Sequence, residues 1–181
     1  MRTKTRLLAL AFALTACAQP PSAPPALVAD GQLAAPAGYK TWRPFLANVQ
    51  RPDNGQVRDI YVNDAGAKTT HGSAFANGSV FVMELYAAVA NADGSYATGA
   101  DGRLVRGELK KIFLMAKGEG WGATYPDAAL RNCDWVYAAY LADGATPAPD
   151  DLITCRACHL PHAEKDFVHR YDEGVAALAG R

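Results

Sequence analysis

The chain has 181 residues, room for one domain of ordinary size, and its 50% hydrophobic content is enough to bury a core, which excludes a disordered protein. With 18 basic and 18 acidic residues, the bulk charge lacks the electrostatic footprint that nucleic-acid binding requires. Four cysteines, at positions 17, 133, 155 and 158, are too few and too unevenly placed for a disulfide-stapled miniprotein, so each has to be explained by its surroundings.

Arg2, Lys4 and Arg6 precede a continuous apolar run from Leu7 to Ala16, which is the pattern of a signal peptide over residues 1–16. The run is about half of the roughly 20 residues that a membrane-spanning helix needs. Leu14-Thr15-Ala16-Cys17 resembles the lipobox of bacterial lipoproteins, which implies cleavage before Cys17 and a lipid on its sulfur. Ala18, where that sorting pattern keeps Asp for inner-membrane retention, implies an outer-membrane anchor facing the periplasm. Cleavage takes away three positive charges and no negative one, leaving a net charge of −3. Residues 17–36 carry Pro20, Pro21, Pro24, Pro25 and Pro36 in an Ala-rich context and are expected to form an extended tether. The domain is expected over residues 37–181.

Within it, Val57–Val62, Ser79–Val89, Leu109–Lys117 and Asp134–Leu141 alternate or run apolar, and turn-forming clusters such as Asn91-Ala92-Asp93-Gly94 and Gly99-Ala100-Asp101-Gly102 separate them. These predict strands joined by hairpins. Helix is expected near Asp64–His71 and from Leu152 through the Ala-rich end. The fold class is α+β, mainly antiparallel sheet with a few helices.

Cys155-Arg156-Ala157-Cys158-His159 is a C-x-x-C-H sequence, the attachment signature of c-type haem. On one helical turn, two thiols three residues apart can reach the two vinyl groups, and the next residue places an imidazole beneath the iron. Cys155 and Cys158 are thus candidate thioether residues and His159 the candidate proximal iron ligand of a single covalent haem c. A zinc site would need two further ligands, and Cys133, His162 and His169 match no common spacing. A thioredoxin-like pair would want a βαβ setting that is not visible here. Cys133 is expected to be a buried thiol.

The order Gly38-Tyr39…Trp42, Arg58-Asp59-Ile60-Tyr61-Val62-Asn63, Gly78-Ser79-Val80-Phe81-Val82-Met83-Glu84, Trp121-Gly122…Tyr125-Pro126, Arg131-Asn132…Asp134-Trp135, then C-x-x-C-H and Asp166-Phe167-Val168 resembles the cytochrome P460 and cytochrome c′-β family. The resemblance covers nearly the whole chain after the tether. It implies a mostly antiparallel sheet, one haem near the C-terminus, and a homodimer, as members commonly are. In the P460 enzymes of that family a lysine is bonded to the haem, and the modified haem oxidises hydroxylamine. Aligned by Gly78 and Glu84-Leu85, that lysine falls on Met83, so the chain resembles more the c′-β branch, whose unmodified haem binds nitric oxide in a Phe-lined pocket.

Alternation places Phe81, Met83 and Leu85 on one face and Val80, Val82, Glu84 and Tyr86 on the other. The first set is the candidate distal wall, with Phe75 a further candidate, and Glu84 reads as a structural hydrogen-bond acceptor. Met83 as an iron ligand would raise the reduction potential and give an electron carrier; Met115, His71, His162 and His169 are the other ligand candidates, and an open site is the reading taken. Asp150 and Asp151 are expected to supply a proton-handling carboxylate or a helix N-cap. The function expected is a gas-binding or electron-carrying cytochrome with an unidentified redox partner. The alternative is an oxidoreductase acting on hydroxylamine or nitric oxide.

Overall fold

Five strands form one antiparallel sheet in chain order: β1 Arg43–Arg51, β2 Gln56–Val62, β3 Val80–Ala88, β4 Arg106–Lys117 and β5 Trp135–Leu141. Two helices follow, α1 Leu152–His159 and α2 Tyr171–Ala179. The computed structural model describes residues 26–180, so the expected signal peptide, Cys17 and the first part of the tether lie outside the described residues. The mainly antiparallel α+β architecture is the one expected from the alternation, and β2 to β5 fall on the four predicted strands, with no end shifted by more than three residues.

The strand that alternation does not reveal is β1. Its register slips between Leu46 and Val49, where Asn48 takes φ +53, so its side chains lose the period of two. Pro44 is tolerated because β1 is an edge strand. Two helical expectations are corrected. Asp64–His71 forms only a short 3-10 turn at Gly66–Lys68, and the C-terminal helix is broken after His159 by a 3-10 stretch, Leu160–Lys165. Pro161 lacks the N–H that a continued α-helix would use, and Asp166 and Phe167 then adopt left-handed backbone that reverses the chain.

Both faces of the sheet are covered. On one, Phe45, Val62, Phe81, Met115, Trp135 and Tyr137 pack with Phe167, Val168 and the α2 residues Tyr171, Val175 and Leu178. On the other, Val82, Ile112, Leu114 and Ala138 pack under Tyr39, with Leu33, Ala35 and Trp42 at the margin. That second face holds Glu84, buried and accepting hydrogen bonds from the hydroxyls of Tyr86 at 2.6 Å and Tyr39 at 2.7 Å, with Lys40 Nζ at 3.1 Å. Burial pushes the carboxyl up, but these donors outweigh it and hold Glu84 below the ordinary carboxylate range. Glu84 is therefore the structural acceptor the alternation predicted.

The described part of the Ala/Pro-rich stretch is docked rather than free. Gly31 N–H donates to the Tyr137 carbonyl at 2.7 Å, Tyr140 donates to the Leu33 carbonyl, and Asp30 pairs with Arg156. The packed unit thus begins ahead of residue 37.

The seam between α2 and β1 has no spare volume. A Cβ on Gly174 would lie 2.0 Å from Phe45 Cζ, and that ring is fixed edge-on between Phe75 and Phe81. Gly174→Ala is expected to lower stability by about 1–3 kcal/mol despite alanine's better helix propensity, measured by urea unfolding. An unchanged midpoint would mean that the seam relaxes freely.

Candidate functional site

α1 opens at Asp151, whose carboxylate accepts the Ile153 N–H at 2.9 Å, so this residue takes the N-cap role. On the helix, Cys155, Cys158 and His159 fall within about a third of a turn of one another at 3.6 residues per turn and face the same way. All three line a cleft of about 500 Å³ between α1 and the sheet. Such a volume is in the range of ligand pockets, roughly 300–1,000 Å³.

Arg156, the first intervening residue of the motif, points elsewhere and anchors the helix. It is 1% exposed, and its Nε and Nη2 form a fork on Asp30 at 2.6 and 2.8 Å. Its guanidinium stacks 4.0 Å from the Tyr125 ring centre and donates to the Leu130 carbonyl. Asp30 also accepts the Tyr137 N–H at 2.9 Å, so one carboxylate ties α1 to β5. With Arg156 held on this side, the two thiols and the imidazole are left facing the cleft.

The opposing wall comes from three strands in register. Ile60 on β2 pairs with Met83 on β3, which pairs with Phe113 on β4. The next row is Val62, Phe81, Met115 and Tyr137. Phe81, Met83 and Leu85 all line the cleft, where alternation placed them. Phe75 does not. Its ring lies behind Phe81, 5.0 Å away, and in edge contact with Trp135 and Tyr171 at 6.1 and 5.7 Å, so it supports the wall rather than forming it.

His159 Nδ1 lies 2.6 Å from the Phe167 carbonyl oxygen. A carbonyl only accepts, so Nδ1 carries the proton and Nε2 keeps a lone pair. Burial, aided by His169 and His162, pushes the imidazole below its ordinary value against the pull of that carbonyl, which favours the neutral form a metal needs. Burial, with Asp150 and Asp30 nearby, pushes the Cys155 thiol up to about 11. It is thus a protonated thiol at neutral pH, unlike the low-pKa thiolates of redox pairs. A half-buried imidazole with Nε2 free, two uncrosslinked thiols on the same helix face and an apolar wall opposite are a donor set that fits haem.

Polar groups border the cleft as well. Lys111 Nζ sits 2.8 Å from both Asp150 oxygens, so this carboxylate is paired rather than free. Arg58 Nε and the Tyr137 hydroxyl are buried without a partner among the described residues. Met115 and His169 reach the cleft, whereas His71 pairs with Asp172 on the far side of α2, and His162 stacks with His169 at 4.7 Å without lining the cleft. Cys133 is exposed at a left-handed turn (φ +51), which corrects the buried thiol expected. Ile60 and Phe113 escape a reading of single strands because register is needed to bring them beside Met83. Arg156 escapes it because a charged residue inside the motif gives no sign of being buried.

These features define a haem protein whose cofactor would be held on a short C-terminal helix over an antiparallel sheet. The Cytochrome P460 family profile matches residues 36–170, and the chain belongs to that family. A search of curated proteins finds no match.

Breaking the anchor tests how the site is held. Asp30→Ala leaves a buried guanidinium without its carboxylate and is expected to cost about 3–5 kcal/mol in unfolding free energy. A loss below about 1 kcal/mol would place the orientation of α1 in other contacts.

Proposed function

We propose that this protein is a mono-haem c-type cytochrome that binds a small neutral gas such as nitric oxide at an open distal position. The observation that carries the reading is the wall of Ile60, Phe81, Met83, Leu85 and Phe113 lining the same cleft as His159. When bound, the haem supplies an iron that takes diatomic ligands and changes oxidation state. Cys155 and Cys158 would hold it by thioethers, and His159 would ligate through Nε2, the nitrogen left free by Phe167. The apolar side chains of this wall exclude water and leave room for a small neutral diatomic, with the charged groups Arg58, Lys111 and Asp150 at the border of the cleft. Lipidation of Cys17 and export to the periplasmic side of the outer membrane complete the proposal, supported by the leader sequence alone.

The alternative, hydroxylamine oxidation on a lysine-modified haem, finds less support. Position 83 carries a thioether in place of the amine, and the cleft lysine, Lys111, is occupied by both oxygens of Asp150.

Three measurements test this. Acid–acetone extraction is expected to leave the haem with the polypeptide, and colour passing into the organic layer would end the covalent reading. The ferrous protein is expected to be five-coordinate, to bind nitric oxide and not to turn over hydroxylamine. A methionine–iron charge-transfer band lost in Met83→Ala would refute the open site, and steady hydroxylamine oxidation would favour the enzyme. Cys17→Ser is expected to move the protein from membranes to the soluble periplasmic fraction, and unchanged membrane association would place the anchor elsewhere.

A further inference from the structure

The Phe167 carbonyl that meets His159 is presented by an unusual stretch of backbone. Asp166 and Phe167 are consecutive non-glycine residues with φ of +52 and +60. Asp tolerates this region, but for a bulky side chain such as Phe it is an outlier, and it persists only where the surroundings fix it. The fixing groups are visible. Asp166, whose side chain is 11% exposed, takes Lys117 Nζ at 2.9 Å on both oxygens. Its Oδ2 also accepts the Phe75 N–H at 2.8 Å, and its Oδ1 faces Trp135 Nε1 at 3.4 Å. Lys117 is the last residue of β4 and is itself 8% exposed, so the anchor point belongs to the sheet rather than to the loop. The Phe167 side chain is buried in the core, which secures the other end of the same peptide.

From this we propose that Asp166, locked by Lys117, is a positioning residue for the iron ligand, and the proposal rests on His159 being that ligand. The carboxylate holds the left-handed turn so that the Phe167 carbonyl stays on Nδ1–H of His159. That bond does more than orient the ring. The stronger the acceptor on Nδ1–H, the more electron density reaches Nε2, which strengthens the iron–imidazole bond and stabilises the ferric state. The buried ion pair at the end of β4 therefore sets the properties of a metal it does not touch. The same reading explains why a charged pair is kept in a place where two apolar side chains would pack without desolvation cost.

The experiment compares the wild-type holoprotein with Asp166→Gly, Asp166→Asn and Lys117→Met. Glycine adopts φ +52 without strain, so Asp166→Gly removes the carboxylate while leaving the turn available. Asparagine keeps the shape and removes the charge, and serves if the glycine variant does not fold. The iron–histidine stretching frequency of the ferrous protein, read by resonance Raman, is expected to fall in each variant. The reduction potential is expected to rise, with nitric oxide still bound. A purely structural role would lower the unfolding midpoint and leave both values where they are, and folded, haem-loaded variants with an unchanged stretch and potential overturn the proposal. If the wild-type protein carries no haem, the functional reading above fails separately. The positioning role is then read from the nitrogen NMR signal of His159 Nδ1–H, expected to be protected from exchange in the wild type and exposed in Asp166→Gly; equal protection in both overturns it.

Discussion

The fork between Arg156 and Asp30 is the contact on which the site depends. A short helix of eight residues has little stability of its own in water, and α1 contributes only a few apolar side chains to the core. What fixes its rotation is a guanidinium that can be buried only if its donors are satisfied, and those acceptors exist in one orientation: Asp30, the Leu130 carbonyl and the Asn132 side chain. Once Arg156 is placed, 3.6-residue geometry leaves no freedom for its neighbours. Cys155, Cys158 and His159 must face the sheet. Asp30 comes from the stretch ahead of the first strand, so that stretch is part of the site's framework although none of its described residues lines the cleft.

The second constraint is the division of labour between the two faces of the sheet. The face that carries Glu84 is closed by its own polar network of tyrosine hydroxyls and Lys40, and by Leu33, Ala35 and Trp42. The opposite face is closed by α2 and residues 167–168 over β1, and by α1 over β5. Between these two lids the middle strands β2, β3 and β4 present Ile60, Met83 and Phe113 to the cleft. The apolar wall and the three donors of α1 thus face each other across one cleft.

How much of this could be read from sequence follows from which features are local. The C-x-x-C-H motif is local, and so is the period of two that puts Phe81, Met83 and Leu85 on one face. Both place residues where the structure has them. Glu84 was legible as well, since a lone carboxylate on the face opposite an apolar wall has to find donors. Features set by register or by chain reversal were not legible. Ile60 and Phe113 need the pairing with Met83, and β1 hides behind Pro44 and the bulge at Asn48. Phe75 looks like a pocket residue because it precedes the wall strand, yet its approach is tethered by its own N–H to Asp166, which turns the ring behind Phe81. Cys133 follows the fully buried Asn132, and only the left-handed backbone at Cys133 sends its side chain outward.

Asp166 joins these strands of the argument. It accepts from the residue that backs the apolar wall, Phe75, and it lies in the turn that meets the His159 imidazole, while Lys117 ties it to β4 and lies 5.6 Å from the centre of the Trp135 ring. The wall and the imidazole thus share one largely buried carboxylate. The backing of the apolar wall and the turn that meets His159 are thus held through one side chain, which the sheet in turn holds through Lys117.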